Sequence, residues 1–118
     1  MKKITIVKAV VMGSTPQSYQ YDKAGFFRKS LSRTMEENLS EEIRKNQLDY
    51  VVEIDQDFQF LDELLAQGTD FILISPYVST FINFNGIPKE RFYIMTPEEF
   101  DQGEISHIME ILQQRLPV

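Results

Sequence analysis

The stretch Asp70-Phe71-Ile72-Leu73-Ile74-Ser75 is a nearly unbroken apolar run, and Pro76 ends it. A strand covered on both faces has this composition, because neither of its faces carries polar residues. Such strands are typical of parallel sheets, whose crossover helices pack on both faces. The run therefore predicts a central strand of an α/β domain, and Pro76 stops it because proline cannot donate to the ladder.

Three further strands are predicted around this run from their β-branched or apolar composition and the turn residues beside them. They are Ile4 to Met12, Asp49 to Ile54 and Arg91 to Met95. The first ends at Gly13. The polar stretch from Gly13 to Lys23 contains Pro16 and is predicted to be a long loop that leads into a helix.

A long amphipathic helix is predicted from Ala24 to about Asn46, with an N-cap at Asp22. Its apolar side chains recur every four residues and form one stripe. They are Phe27, Leu31, Met35, Leu39 and Ile43. Acidic and basic side chains interleave on the other faces, which indicates a solvated surface rather than an acidic patch for a partner.

A second helix is predicted after a turn and N-cap at Asp55 to Asp57, and it stops at Gly68. Its apolar residues are Phe58, Leu61, Leu64 and Leu65. A short helix or turn is predicted from Tyr77 to Phe84, after the central strand.

The best-marked helix start is Thr96-Pro97-Glu98-Glu99, which has a capping threonine, a proline at the first helical position and a glutamate at the third. Gly103 separates this turn from the last helix. The apolar stripe of the last helix is Ile105, Ile108, Met109, Leu112 and Leu116.

The resulting alternation of strands and helices predicts right-handed crossovers and a four-stranded parallel sheet with helices on both faces. We expect a three-layer αβα domain of flavodoxin-like type, with strand order 2-1-3-4, over residues 1–118. No linker or repeat divides the chain.

Charge and cysteine content exclude several functions. The chain has 12 basic and 18 acidic side chains and a net charge of −6, which opposes nucleic-acid backbones and anionic membranes. Cysteine is absent, so disulfides and thiol chemistry are excluded, and a reducing compartment is expected. No apolar run reaches the roughly 18 residues of a membrane span. The sequence therefore predicts a cytoplasmic protein without membrane insertion.

The predicted topology places one candidate ligand site. In an open parallel sheet, ligands bind outside the carboxyl ends of the strands where strand order reverses, here between the first and third strands. The candidate ligand-binding residues are those that offer hydroxyl, amide or backbone N–H groups there. They are Gly13, Ser14, Thr15, Gln17, Ser18, Ser75 and Tyr77. Nothing in the sequence indicates a cofactor or a metal ion.

The segment Gly13 to Ser18 has two interpretations. Its glycine suits a tight turn, and its hydroxyls and backbone amides can surround a small anion ahead of a helix. It lacks the lysine and second glycine of a nucleotide P-loop and the three glycines of a dinucleotide fingerprint. A plain structural loop is the favoured interpretation, and an anion-binding loop is the alternative.

The titratable residues form no catalytic pattern. His107 is the only histidine and falls in the last helix without a nearby cysteine or carboxylate cluster, which favours a surface residue over a metal ligand or base. Asp55 and Asp57 are explained by turn formation and N-capping. Aromatic residues in two loops are more suggestive of a pocket or subunit contact, although core packing explains them as well. They are Tyr19, Tyr21, Tyr77, Phe81 and Phe84.

Several short segments occur together in one order along the chain: Lys2-Lys3-Ile4, Met12-Gly13-Ser14-Thr15, Thr69 to Val78, and Gly103 before the final helix. In this order they are similar to segments of the lactose/cellobiose-type B components of bacterial sugar phosphotransferase systems. The resemblance implies a small four-stranded parallel α/β domain. In that family, a phosphorylated cysteine follows the first strand.

The family's catalytic residue has no counterpart in this chain. An ungapped comparison puts Lys8 where the family has its phosphorylated cysteine, and the sequence has no cysteine. Phosphoryl transfer by that mechanism is excluded. The resemblance therefore implies a member that kept the scaffold and lost the catalysis.

Three functions follow from these observations. The favoured one is a non-catalytic regulatory or protein-interaction domain on this scaffold, acting through a protein partner or through self-association. The alternative is a small-molecule or anion-binding domain that uses Gly13 to Ser18 with Ser75 and Tyr77. An enzyme with Ser or Asp chemistry is least favoured, because no base accompanies a hydroxyl nucleophile.

Overall fold

The structure is a computed structural model that describes residues 1–8, 10–12, 15–17, 30–55 and 60–117. In chain order its strands and helices are β1 (Lys2–Val7), β2 (Val10–Met12), β3 (Thr15–Gln17), α1 (Leu31–Lys45), β4 (Tyr50–Ile54), α2 (Leu61–Ala66), β5 (Phe71–Ile74), β6 (Phe92–Ile94), α3 (Pro97–Gln102) and α4 (Ser106–Arg115). Two 3₁₀ turns, Ser79–Phe81 and Lys89–Arg91, lie between β5 and β6.

The main sheet has four parallel strands in the order β4-β1-β5-β6. In the central pair, Ile4 lies opposite Phe71 and Val7 lies opposite Ile74. These four strands are the second, first, third and fourth strands of the sheet along the chain. The predicted parallel sheet with order 2-1-3-4 is therefore confirmed.

The central strand β5 is buried on both faces. Phe71 and Leu73 lie in a first core with residues of α1, α3 and α4, whereas Ile72 and Ile74 lie in a second core with residues of α2. All four side chains are fully buried. Because successive side chains of a strand point to opposite faces, α1 and α4 cover one face of the sheet and α2 covers the other. This is the three-layer arrangement predicted from the apolar run.

The crossover from β5 to β6 contains 3₁₀ turns and a loop instead of an α-helix. Val78 is fully buried in the second core, and Ile82 and Ile87 pack against that core. Phe84 stacks on Phe92 of β6, with ring centroids 4.8 Å apart. The loop thus covers the part of the sheet that α2 leaves open, and the turn predicted after Tyr77 is confirmed.

The first strand is shorter than predicted. It ends at Val7 instead of Met12. Val7 pairs with Ile74, which is the last residue of β5, and the half-buried Lys8 follows. Val10–Met12 instead pairs with Thr15–Gln17 in a separate antiparallel ribbon. The loop prediction for Gly13 to Lys23 is therefore wrong at β3, and Pro16 lies in a strand opposite Val11.

The first helix begins later than predicted. Ser30 has extended backbone with φ −65° and ψ 160°, and its hydroxyl accepts a 3.2 Å hydrogen bond from the backbone N–H of Arg33. A helix cannot continue through an extended residue, so α1 begins at Leu31 with Ser30 as its N-cap. The predicted cap Asp22 and the predicted helical residues 24–29 lie outside the described residues.

The start of the second helix is also different from the prediction. Asp55 directly follows β4, with its backbone N–H donating to the carbonyl of Ile6, and it does not cap α2. The N-cap is Phe60, whose backbone N–H donates to the Glu63 carboxylate. Residues 56–59, which include Asp57 and Phe58, lie outside the described residues. Across the described parts of the chain, no helix combines the length and apolar character needed to cross a membrane.

Candidate functional site

The carboxyl edge of the sheet is where the topology predicted a ligand site. Of the candidate residues, Gly13, Ser14 and Ser18 lie outside the described residues. Thr15 and Gln17 belong to β3 and not to a loop. Ser75 and Tyr77 follow β5 and are the candidates whose side chains the structure describes.

Ser75 and Asp55 flank the end of β1. The backbone N–H of Ser75 donates to the carbonyl of Val7 over 3.0 Å, and that of Asp55 donates to Ile6 over 2.9 Å. Both side chains are buried. The Ser75 hydroxyl accepts a 3.2 Å hydrogen bond from the backbone N–H of Tyr77, so it shapes the turn that ends β5. Ser75 thus has a structural role at the predicted site.

Tyr77 connects this edge to α3. Its hydroxyl donates to the carboxylate of Asp101, with oxygen distances of 2.8 and 2.7 Å, and its ring meets Phe100 edge to face at 6.1 Å. The hydrogen bond to Asp101, burial and the negative charges of Asp101 and Glu98 raise the pKa of Tyr77 to about 12. The hydrogen bond between the neutral Tyr77 phenol and the Asp101 carboxylate therefore links the end of β5 to α3.

A second polar cluster joins Tyr93 of β6, Glu99 of α3 and His107 of α4. The predicted capping box is present: the Thr96 hydroxyl accepts from the backbone N–H of Glu99, and Oε1 of Glu99 accepts from that of Thr96. The same Oε1 accepts a 2.9 Å hydrogen bond from the hydroxyl of Tyr93. Glu99 therefore fixes the start of α3 and holds β6 at the same time.

His107 lies beside this buried carboxylate. Its Nδ1 is 3.7 Å from Oε2 of Glu99 and 3.3 Å from the Tyr93 hydroxyl, and its ring meets the Tyr93 ring edge to face at 5.7 Å. The Glu99 side chain is 8% exposed, whereas that of His107 is 61% exposed. No cysteine or carboxylate cluster was apparent near His107 in the sequence, and the structure places one carboxylate, that of Glu99, beside it.

Tyr93 stays neutral in this cluster well above physiological pH. Burial, the hydrogen bond to Glu99 and the negative charge of Glu99 raise the pKa of Tyr93 to about 12. The cluster thus joins the neutral Tyr93 phenol to Glu99 and His107, on three different elements.

Phe60 and Phe81 are the large aromatic side chains most exposed among the described residues, at 72% and 43%. Phe60 precedes α2, and Phe81 ends the 3₁₀ turn after β5. The other aromatic residues singled out in the sequence differ: Phe84 packs on Phe92, Tyr77 binds Asp101, and Tyr19 and Tyr21 lie outside the described residues.

The raised tyrosine pKa values predict a loss of stability at alkaline pH. Tyr77, Tyr93 and Tyr50, whose pKa burial also raises, keep their protons in the fold at a pH where the unfolded chain has lost them. Their contribution to stability is therefore full below about pH 10 and is lost as pH rises toward 12.

Urea unfolding measured between pH 8 and 12 checks this expectation. Tyr77→Phe and Tyr93→Phe should each reduce the protons released on unfolding in that range by about one, compared with the parent chain, because lysine titration is common to all three proteins. Equal slopes for the parent and both variants would contradict the raised pKa values.

The chain was compared with protein-family models, with curated proteins and with solved structures. None of the three comparisons finds a match.

Proposed function

We propose that this domain is a non-catalytic protein-interaction or regulatory module that docks a partner at the carboxyl edge of its sheet, on the side covered by α2. The observation that carries the proposal is the exposure of two phenylalanine side chains, Phe60 and Phe81, at this edge. Large exposed aromatic residues are typical of the centre of protein interfaces.

The two phenylalanines belong to the same side of the sheet. Phe60 is followed by Leu61, and Phe81 comes three residues after Val78. Leu61 and Val78 are both buried in the second core. Since α2 follows β4 and the 3₁₀ turn follows β5, both segments come from the carboxyl ends of parallel strands. Phe60 and Phe81 therefore offer two apolar anchors on one edge.

The charges beside Phe60 favour a basic partner. Asp62 and Glu63, in the first turn of α2, are exposed next to it, and the whole chain carries a net charge of −6. Complementary charge around an apolar centre raises the association rate and excludes like-charged partners. We therefore propose a partner with an apolar pocket bordered by lysine or arginine, in preference to a second copy of this acidic chain.

We also propose that the domain has the scaffold of the phosphotransferase B components that its sequence resembles. The parallel sheet order supports it, and Lys8 follows β1 where that family has its phosphocysteine. The alternative of a small anion at this edge is less favoured, because the Ser75 hydroxyl takes part in the turn after β5 and the Tyr77 hydroxyl binds Asp101.

Photo-crosslinking from position 60, followed by reconstitution with the purified partner, tests the proposal. Phe60→Ser and Phe81→Ser should each weaken the measured affinity at least tenfold, and added salt should weaken it further. Ile94→Ser is the matched control, because Ile94 is an exposed apolar residue on the outer strand β6. The affinity of this variant for the partner should stay within twofold of that of the parent chain.

Two outcomes would overturn the proposal. One is an affinity that Phe60→Ser and Phe81→Ser leave unchanged, or that Ile94→Ser reduces as strongly. The other is crosslinking to a second copy alone, together with a Phe60-dependent dimer in light scattering, which would replace the basic partner by self-association.

A further inference from the structure

The loop between the two 3₁₀ turns contains an asparagine followed by a glycine, Asn85-Gly86. Both residues are exposed and lie in a turn. The backbone N–H of Ile87 closes this turn by donating to the carbonyl of Phe84 over 3.0 Å. Gly86 has a φ of +81°, which glycine adopts without strain. The Asn-Gly pair is therefore presented to solvent in a defined turn.

The two groups of this pair that can react with each other are not hydrogen-bonded. Among the described residues, no acceptor binds the backbone N–H of Gly86, and no partner binds the side-chain amide of Asn85. A Cβ added at Gly86 would meet nothing within 4 Å. There is thus open space around Gly86, and no hydrogen bond holds its nitrogen away from the side-chain carbon Cγ of Asn85.

Asn83 lies in the same loop and is also exposed, but its surroundings differ. Its Oδ1 accepts a 3.0 Å hydrogen bond from the backbone N–H of Asn85, so its side-chain amide is engaged. The residue after it is Phe84, which packs against the second core and stacks on Phe92. Asn83 is therefore an internal control, at which attack by the next backbone nitrogen is hindered.

We propose that Asn85 is a site of spontaneous deamidation. The nitrogen of Gly86 loses its proton and forms a bond to Cγ of Asn85. The bond from Cγ to the side-chain nitrogen breaks, and ammonia leaves with that proton, so that a five-membered succinimide remains. Water then opens the ring at one of its two carbonyls. Opening at Cγ gives aspartate, and opening at the main-chain carbonyl gives isoaspartate, whose main chain runs through Cβ and Cγ.

Both products change this loop, and the change does not depend on the proposed docking function. Each product adds one negative charge to a chain whose net charge is −6. Isoaspartate also adds a carbon atom to the main chain between Phe84 and Ile87, which share a hydrogen bond and both pack against the second core. Because cores are closely packed, we expect isoaspartate to loosen this cover, and aspartate to leave it intact.

Incubation of the purified full chain at mildly alkaline pH tests the proposal. Peptide mass spectrometry locates the converted asparagine, and methylation by an isoaspartyl methyltransferase measures the isoaspartate. We expect both products at position 85, one ammonia released per converted chain, and a rate that rises with pH because the attacking nitrogen must lose its proton. Asn83 should convert more slowly than Asn85 by a factor of about ten or more.

Three variants make the test specific. Asn85→Gln keeps a side-chain amide and the turn glycine, but it would need a six-membered ring, so conversion at this position should be abolished. Gly86→Ala places a Cβ beside the attacking nitrogen and should slow conversion by a factor of about ten. Asn85→Asp has the new charge and an unchanged main chain. Its urea midpoint should stay close to that of the fresh parent chain, whereas the isoaspartate fraction, separated by ion exchange, should unfold at lower urea.

The proposal would be contradicted if prolonged incubation produced no isoaspartate at position 85, if Asn83 converted as fast as Asn85, or if Gly86→Ala did not slow the reaction. An isoaspartate fraction as stable as Asn85→Asp would refute the expected effect on the second core.

Discussion

Replacing Leu73 by Ala should lower the free energy of unfolding by about 2–5 kcal/mol, and replacing its neighbour Ile74 by Ala should lower it by a similar amount. Both side chains are fully buried, but Leu73 lies in the first core and Ile74 in the second. Each truncation removes apolar contacts and leaves a cavity, and the two cavities lie on opposite faces of one strand.

Urea unfolding at constant pH measures both losses, with the m-value as the check that unfolding stays cooperative. Val51→Ala is the control, since Val51 is half-buried in the edge strand β4, and it should cost about 1 kcal/mol. A loss of less than about 1 kcal/mol at either Leu73 or Ile74 would mean that the corresponding face of β5 is not covered as described.

The sheet was predictable because its signal is local and strong. The apolar run through Phe71 to Ile74 has no polar position that a solvated face would need, and burial of all four side chains agrees with that interpretation. The capping box at Thr96 and Glu99 was equally predictable from the sequence, since all of its groups lie within one helical turn. Composition within a few residues was sufficient in both places.

The element boundaries were harder, because they depend on partners elsewhere in the chain. The residues from Ile4 to Met12 do not by themselves predict that the strand ends at Val7. The end of the strand is set by its partner β5, which ends at Ile74. The four-residue apolar period passes through Ser30 without interruption, yet the extended backbone of Ser30 makes it the N-cap, so that α1 begins at Leu31. Tertiary pairing and a local cap determined these boundaries, and periodicity alone does not contain them.

The polar cluster at His107 was missed for a related reason. Glu99 was assigned a capping role, which is correct, but a carboxylate has two oxygens and the capping box uses only Oε1. The signal that was available is the glycine between the two helices. Gly103 in a left-handed conformation reverses the chain, so that the first turn of α4 returns to the first turn of α3 and brings His107 beside Glu99.

The predicted ligand edge remains partly a prediction. Ser75 and Tyr77 were expected to face a ligand, and their described contacts are with the backbone turn and with Asp101. The hydroxyl-rich segment around Ser14 and Ser18 lies outside the described residues. At this edge, the contacts of Ser75 and Tyr77 support a structural interpretation, and Phe60 and Phe81 are the exposed apolar side chains on which the proposed docking of a partner depends.

Replacing Gly103 by Ala should destabilise the protein by about 2–3 kcal/mol, whereas Gly86→Ala should cost about 1–2 kcal/mol. Both glycines have positive φ, +65° at Gly103 and +81° at Gly86, so both substitutions carry conformational strain. A Cβ at Gly86 would meet nothing within 4 Å, but at Gly103 it would lie 2.6 Å from Nδ2 of Asn38.

The extra cost at Gly103 comes from the hydrogen bond that Asn38 must give up. Nδ2 of Asn38 donates to the Gly103 carbonyl over 2.9 Å, and a side chain moved away from the new Cβ loses that bond, worth about 1 kcal/mol. In an Asn38→Ala background this term is already absent, so Gly103→Ala and Gly86→Ala should then agree within about 0.5 kcal/mol. Thermal and urea unfolding of the three single variants and the two double variants measure these differences. A difference that persists without Asn38 would assign the cost to the 3.2 Å approach to Thr34 instead.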